Sequence, residues 1–210
     1  MAPRRSSSSL SAAPSPEAFH GYVDTTLQAL HLVYAAHKGI IPRITRRLNE
    51  TERRTMIRSG ATFVFSVDES GIKRWTDGMV WSPSRIVGNF LASRLTVTRG
   101  TSRRAYDNSH YSTSPHAASH GSEQGTFKPD GLIKKTITVT LDQTDLHLIS
   151  YYTMADWRAG RLDTPLSRQD IMALELEPRK FRVSNFRMPP KIEKLADGRE
   201  QFVQCVYLFV

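Results

Sequence analysis

The spacing of apolar positions changes several times along the chain, and each change marks a new element. Leu27, Leu30, Val33 and Tyr34 recur at three- and four-residue spacing. This predicts a helix packed by one face, capped by Asp24 and stopped by Gly39 and Pro42. Asn49 with Glu52 three residues later has the form of a capping box and predicts a second, shorter helix ending at Ser59-Gly60. Ala61 to Val67, rich in Phe and Val, predicts a strand. Asp68 to Gly71 then predicts a turn, Ile72 to Trp75 a short strand and Thr76-Asp77-Gly78 a tight turn, together a hairpin or meander. Ser82-Pro83 has the order of an N-cap and a first-turn proline, so a helix is predicted through Arg85, Ile86, Phe90 and Leu91.

Periodicity then lapses. Residues 96–129 are dominated by Ser, Gly, Thr and His and read as a flexible linker. Order resumes at Asp130-Gly131: Thr136 to Leu141 alternates as a strand, Asp142 to Asp145 turns, and Leu146 to Tyr152 returns. Ser167 is a candidate cap for one more short helix, through Leu174. Residues 1–18, a Ser/Pro/Ala tract, read as a disordered leader and 189–210 as a C-terminal tail. Two ordered blocks remain, 19–95 and 130–188. With no internal repeat at solenoid spacing, they predict an α+β fold in which both combine into one mixed helix and antiparallel-sheet domain.

Composition narrows the function. Of 210 residues, 39% are hydrophobic, enough for a real core, and Lys plus Arg outnumber Asp plus Glu by 29 to 20. The resulting +9 favours a polyanion, nucleic acid or an acidic membrane surface. The excess is concentrated between Lys38 and Arg94, where eleven cations, nine of them arginine, face five carboxylates. Arginine's planar fork grips phosphate bidentately, reads guanine, or enters a narrow minor groove. The competing reading of such a run is a solvated helix face with local ion pairs. A single cysteine, Cys205, excludes an internal disulfide framework and a cysteine zinc site, and points to a reducing intracellular setting. No apolar stretch approaches a membrane span or a signal-peptide core.

Catalytic patterns are missing: the chain has no glycine-rich phosphate loop, no nucleophile elbow and no paired-histidine zinc motif, so neither an enzyme nor a cofactor is expected. His110, His116 and His120 could hold a transition metal, but a Ser/His-rich linker explains them as well. Trp75 and Trp81 flank a glycine-bearing turn beside Lys73 and Arg74. They read as core anchors that fix the backbone so that Arg74 projects, while Asp77 ties the turn or orients an arginine.

The strings Arg46-Arg47-Leu48, Ile57-Arg58-Ser59-Gly60, Gly71 to Gly78 (Gly-Ile-Lys-Arg-Trp-Thr-Asp-Gly), Trp81-Ser82-Pro83-Ser84-Arg85 and Gly88-Asn89-Phe90-Leu91 resemble, in order and spacing, the first half of the WOPR box. Gly131 to Thr136 and His147 to Tyr152 resemble its second half. The family comprises fungal transcriptional regulators of the white-opaque-switching and gluconate-transport-inducer type. The resemblance implies a nuclear protein that binds an A/T-rich element of double-stranded DNA and controls morphology, sporulation, nutrient-response or virulence genes. It implies DNA contacts from the tryptophan loop (Lys73, Arg74, Trp75), from Arg43, Arg46, Arg47 and Arg85, and from Lys134 and Lys135. It also implies a phosphorylation candidate, Thr76, which ends a consensus for a basic-residue-directed kinase, and leaves room for other transcription factors as partners. The rival reading within the same fold is a protein-interaction module that has lost DNA binding.

Overall fold

The computed structural model describes residues 17–97 and 126–203. In chain order the elements are β1 (Phe19–His20), α1 (Thr26–His37), α2 (Glu50–Met56), β2 (Ala61–Ser66), α3 (Val67–Ser70), β3 (Arg85–Val87), β4 (Phe90–Arg94), β5 (Ile133–Leu141), β6 (Thr144–Tyr152), α4 (Met154–Arg158), α5 (Gln169–Met172), β7 (Lys191–Lys194) and β8 (Glu200–Val203). Six strands form one antiparallel sheet in the order β1-β2-β6-β5-β4-β3, and β7 pairs with β8 separately. The β5–β6 hairpin of the second block is therefore inserted between β2 and β4 of the first. Neither block completes a sheet alone, and the two sequence blocks are one domain. Asp142 and Gln143, both at positive φ, form the two-residue turn of that hairpin, which matches the twist of its strands.

Opposed residues in an antiparallel ladder share a face, so register assigns every side chain. Val64, Ile137, Val139, Leu146 and Leu148 face α1, whereas Phe63, Phe65, Ile149 and Tyr151 face the segment running from Ile44 to Trp81. The sheet is thus buried on both sides where β2, β5 and β6 meet, though not at its β3–β4 edge, and α1 is buried almost all round instead of along one stripe: Ala29, Leu30, Leu32, Val33, Ala35 and Ala36 are fully inaccessible. Its outer face is covered by Ile171, Phe181 and Phe186, which the amphipathic pattern did not show.

Several expectations are corrected. The N-cap of α1 is Thr25, whose hydroxyl accepts from Gln28 N while the Gln28 side chain accepts from the Asp24 and Thr25 N–H groups. Ile72 to Trp75 is not a strand, because both edges of β2 are already taken by β1 and β6 and no ladder is open to it. The helix expected after Ser82-Pro83 is the β3–β4 hairpin. Ser82 exchanges hydrogen bonds with Arg94, and Gly88 at φ +60° with Asn89 closes the two-residue turn between Val87 and Phe90. Ser167 lies in a 3₁₀ turn and caps nothing, and α5 begins two residues later. Residues 191–203, read as a tail, form a hairpin whose Phe202 packs on Phe181 at 5.5 Å. The linker histidines and Cys205 lie outside the described residues. Among the described residues no helix is long and apolar enough to cross a membrane.

Lys135, expected at the DNA, is 4% exposed and lies on the α1 face. Its ammonium donates to Val23 O at 2.7 Å and Asp24 O at 3.3 Å and sits over the Phe90 and Tyr22 rings, tying β5 to the segment that enters α1. Burial pushes its pKa down from 10.5 to about 8, with the Asp24 charge opposing the shift. Between those two values the unfolded chain holds the proton and the folded chain does not, so unfolding free energy rises with pH. Relative to Lys135→Met, the wild-type chain should gain up to about 3 kcal/mol between pH 7 and 10 in paired denaturant titrations. A difference independent of pH would show that Lys135 stays charged in place.

Candidate nucleic-acid interface

Between α3 and β3 only Val80 to Ser82 pairs through its backbone, with Arg94 to Thr96; the part before it, from Ile72 to Met79, joins no ladder, so side chains hold it. The Asp77 side chain, only 4% exposed, accepts from Trp81 Nε1 at 2.9 Å, Met79 N at 3.1 Å, Lys134 Nζ at 3.0 Å and Tyr151 Oη at 2.9 Å. Tyr151 Oη in turn accepts from Trp75 Nε1 at 2.6 Å. Both tryptophans are therefore bound, directly or through one hydroxyl, to a single buried carboxylate. The Trp75 ring stacks on Phe65 at 5.4 Å and lies 5.5 Å from Phe63, and Lys134 sits 4.4 Å from the centre of the Trp81 ring. Burial works to raise the pKa of Asp77, but the Trp81 N–H, Lys134 and the Met79 N–H outweigh it and hold the carboxyl below its ordinary value. Burial, and then the Asp77 charge, push the Tyr151 hydroxyl up, so it remains a donor.

This arrangement sorts the expected site residues. Trp75 faces inward as the support of the loop. Lys134 is paired with Asp77 and is correspondingly withdrawn from solvent, where an arginine had been one expected partner of that aspartate. Arg43 is structural: it grips Glu69 through two hydrogen bonds and closes the C-terminal end of α1 by donating to Ala36 O and His37 O. Arg46 forms a fork with Glu52, whose pKa falls to about 2 through that bond and the Asn49 N–H. Arg85 is exposed, but register places it in the row of Ala92 and Lys135, on the α1 side of the sheet and not beside the tryptophan loop.

What remains is a compact cationic tip. Arg47, Arg53 and Arg74 rim a small cleft floored by Leu48, Ile72 and Trp75, with Thr76 on its edge and Lys73 exposed next to it. The side chains of Arg47, Arg53, Lys73 and Arg74 make no ion pair or hydrogen bond with any described residue, so their charge is available to a ligand. Arg53 was counted in the basic run but not singled out. Its nearness to Arg74 follows from α2 packing under the loop, a long-range contact that spacing cannot show. Such a tip, rigid beneath and free on its outer side, suits a polyanion whose charges are spaced along a groove.

The fold and this surface define a class: a single α+β domain built from two interleaved segments, with a tryptophan-stapled cationic loop over one face of its sheet. The chain belongs to the Gti1/Pac2 family, whose sequence profile matches residues 18–124 and 97–153. It is 33% identical to the global transcription regulator FGP1 of Gibberella zeae over 222 residues, covering 87% of this chain and 64% of that protein. It is likewise 33% identical over 169 residues to the cAMP-independent regulatory protein pac2 of Schizosaccharomyces pombe, covering 64% of this chain and 70% of that one. Among solved structures, the WOPR domain of Wor1 from Candida albicans in complex with a 17-bp double-stranded DNA is similar, at a TM-score of 0.57 and 32% identity. That match covers 77% of this chain and 94% of the other. The chain thus spans a little under two thirds of the length of FGP1.

Removing Asp77 would strand a largely buried ammonium, a hydroxyl and an indole N–H together. Asp77→Ala should cost about 3–5 kcal/mol in denaturant unfolding, whereas Arg74→Ala should change stability by no more than about 0.5 kcal/mol. Equal stabilities for Asp77→Ala and the wild type would remove the carboxylate from its central place.

Proposed function

We propose that this chain is a sequence-specific DNA-binding transcription regulator. It recognises an A/T-rich duplex through the tip formed by Arg47, Arg53, Lys73 and Arg74, and acts in the nucleus on genes of fungal morphology, sporulation, nutrient response or virulence. The observation that carries the reading is the contrast around Asp77: both tryptophans and the Asp77 carboxylate are bound inward, while Arg47, Arg53, Lys73 and Arg74 have no side-chain partner among the described residues and sit on a rigid support. In water four such charges repel one another, and a phosphate backbone resolves that repulsion by releasing counterions. An A/T-rich element adds a narrow minor groove with enhanced negative potential, which suits Arg74 at the loop's exposed edge. The Wor1 domain, bound to double-stranded DNA, has the same fold and supports the reading. The function is binding, without a catalytic step.

Thr76 fits a regulatory role in this scheme. It is exposed, its hydroxyl lies 3.5 Å from Arg74 O, and a phosphate there would place up to two negative charges among the arginines that would hold DNA. A basic-residue-directed kinase would thereby weaken binding.

Selection of duplexes from a random pool by the full chain, followed by fluorescence anisotropy, tests the proposal. Enrichment of an A/T-rich element is expected, with log affinity falling by about 3–4 per log unit of salt if four phosphates are neutralised. Recovery of no preferred duplex would instead favour an interaction module of the same fold. Arg74→Ala should lose about 1–3 kcal/mol and discriminate less between sequences. A Thr76→Glu chain that binds as well as wild type would count against the switch.

A further inference from the structure

Beside the cationic loop the same face of the sheet carries a bare strip. Ile86 opposes Leu91, Leu91 opposes Thr136, and Thr136 opposes Ile149, so the four side chains form one row across β3, β4, β5 and β6. The inner end, Ile149, is buried with Trp75 beneath the loop segment. At the outer end Ile86 is 57% and Leu91 47% exposed, a pair of large aliphatic side chains left open by the described residues. The neighbouring row, Ser93 opposite Lys134, is about 7 Å away along the strands, and Lys134 is the residue bound to Asp77 under the loop. Loop and strip are therefore contiguous.

The chemistry of the strip limits what it can face. Residues 82–97 and 131–141 contain no carboxylate at all. Farther along the face Thr138 is exposed, and the next acid is Asp145, hydrogen-bonded to Thr140 at 2.6 Å. From Thr136 to that boundary is about 14 Å, and from Ile86 to Thr136 about 10 Å, at ordinary strand rise and spacing. A major groove about 12 Å wide admits a two-stranded ribbon of this size. A protein partner could cover an apolar strip, but an acid-free strip on the same face as the loop that carries Lys73 and Arg74, joined to it through Lys134, is complementary to the duplex that loop would hold.

We infer that Ile86 and Leu91 read thymine methyl groups in the major groove of the duplex whose adjoining backbone and minor groove meet the Arg74 loop. The inference rests on the DNA-binding reading above and adds to it a source of base discrimination. Apolar side chains recognise thymine by its C5 methyl, the one apolar group exposed on a base edge in that groove. An A/T-rich element is dense in such methyls. Loop and strip together would make the domain sensitive both to groove width and to which strand carries thymine.

The test compares binding of the full chain to the selected A/T-rich duplex and to the same duplex with deoxyuridine replacing thymidine, one position at a time. Each contacted methyl should be worth about fourfold in affinity, confined to two or three adjacent positions. The Ile86→Ser/Leu91→Ser chain should bind the thymidine duplex correspondingly more weakly and lose the distinction between thymine and uracil. Both side chains are exposed, so its melting temperature serves as the control for folding. Wild-type binding that ignores the thymine methyls at every position would overturn the inference while leaving DNA binding intact. Discrimination retained by the double variant would overturn it too. Absence of any duplex binding would instead sink the reading on which it rests.

Discussion

One buried carboxylate organises this molecule. Asp77 lies in an irregular segment that lacks the backbone ladder which would otherwise fix its shape, and it gathers an ammonium, a phenol, an indole and a backbone N–H around two oxygens. Such a group is tolerable inside a protein only when all its acceptor capacity is used. Because that condition is met by residues from both blocks, the carboxylate fixes the loop and joins the blocks at once. Its influence reaches the surface indirectly, since the cations at the tip owe their position to the groups that Asp77 holds below.

The stretch from Lys73 to Trp81 shows how opposite demands can be met within nine residues. Trp75 and Trp81 need apolar neighbours and an acceptor each, and both find them on the inward side. Lys73, Arg74 and Thr76, on either side of Trp75, remain in water. A loop fixed in advance does not need ordering when a ligand arrives, which removes one of the usual costs of association. That economy would be lost if the arginines were held by local acids, as Arg43 is by Glu69 and Arg46 by Glu52.

Much of the domain was legible in the sequence, and the exceptions have physical causes. The capping box at Asn49, the β5–β6 hairpin and the union of two blocks were all readable, because they depend on local chemistry or strong alternation. The β3–β4 hairpin was not: Ser82-Pro83 is a good helix start in isolation, and only the edge of β4, itself laid along β5, makes a strand the better choice for Arg85 to Val87. Charge was equally deceptive at Lys134 and Lys135. Adjacent in sequence, they point to opposite faces of a strand buried on both sides, and each is held by a partner remote in sequence, Asp77 or the carbonyls before α1. The partition of the arginines between structural and free likewise depends on tertiary pairing that residue type does not reveal.

The interleaved strand order carries a consequence for how the chain can change length. The connection between β4 and β5 joins strands that are already neighbours in the sheet, and for a closed loop a doubling of length costs only about 0.6 kcal/mol of closure entropy. A single residue added within β5 or β6 would instead exchange the two faces, turning Tyr151 away from Asp77 and the row of Ile137 and Leu148 away from α1. Insertions can therefore accumulate between 97 and 126 without disturbing the sheet, while the strands on either side must keep their count to the residue. The chain combines a region free to drift in length with a register that admits no slip.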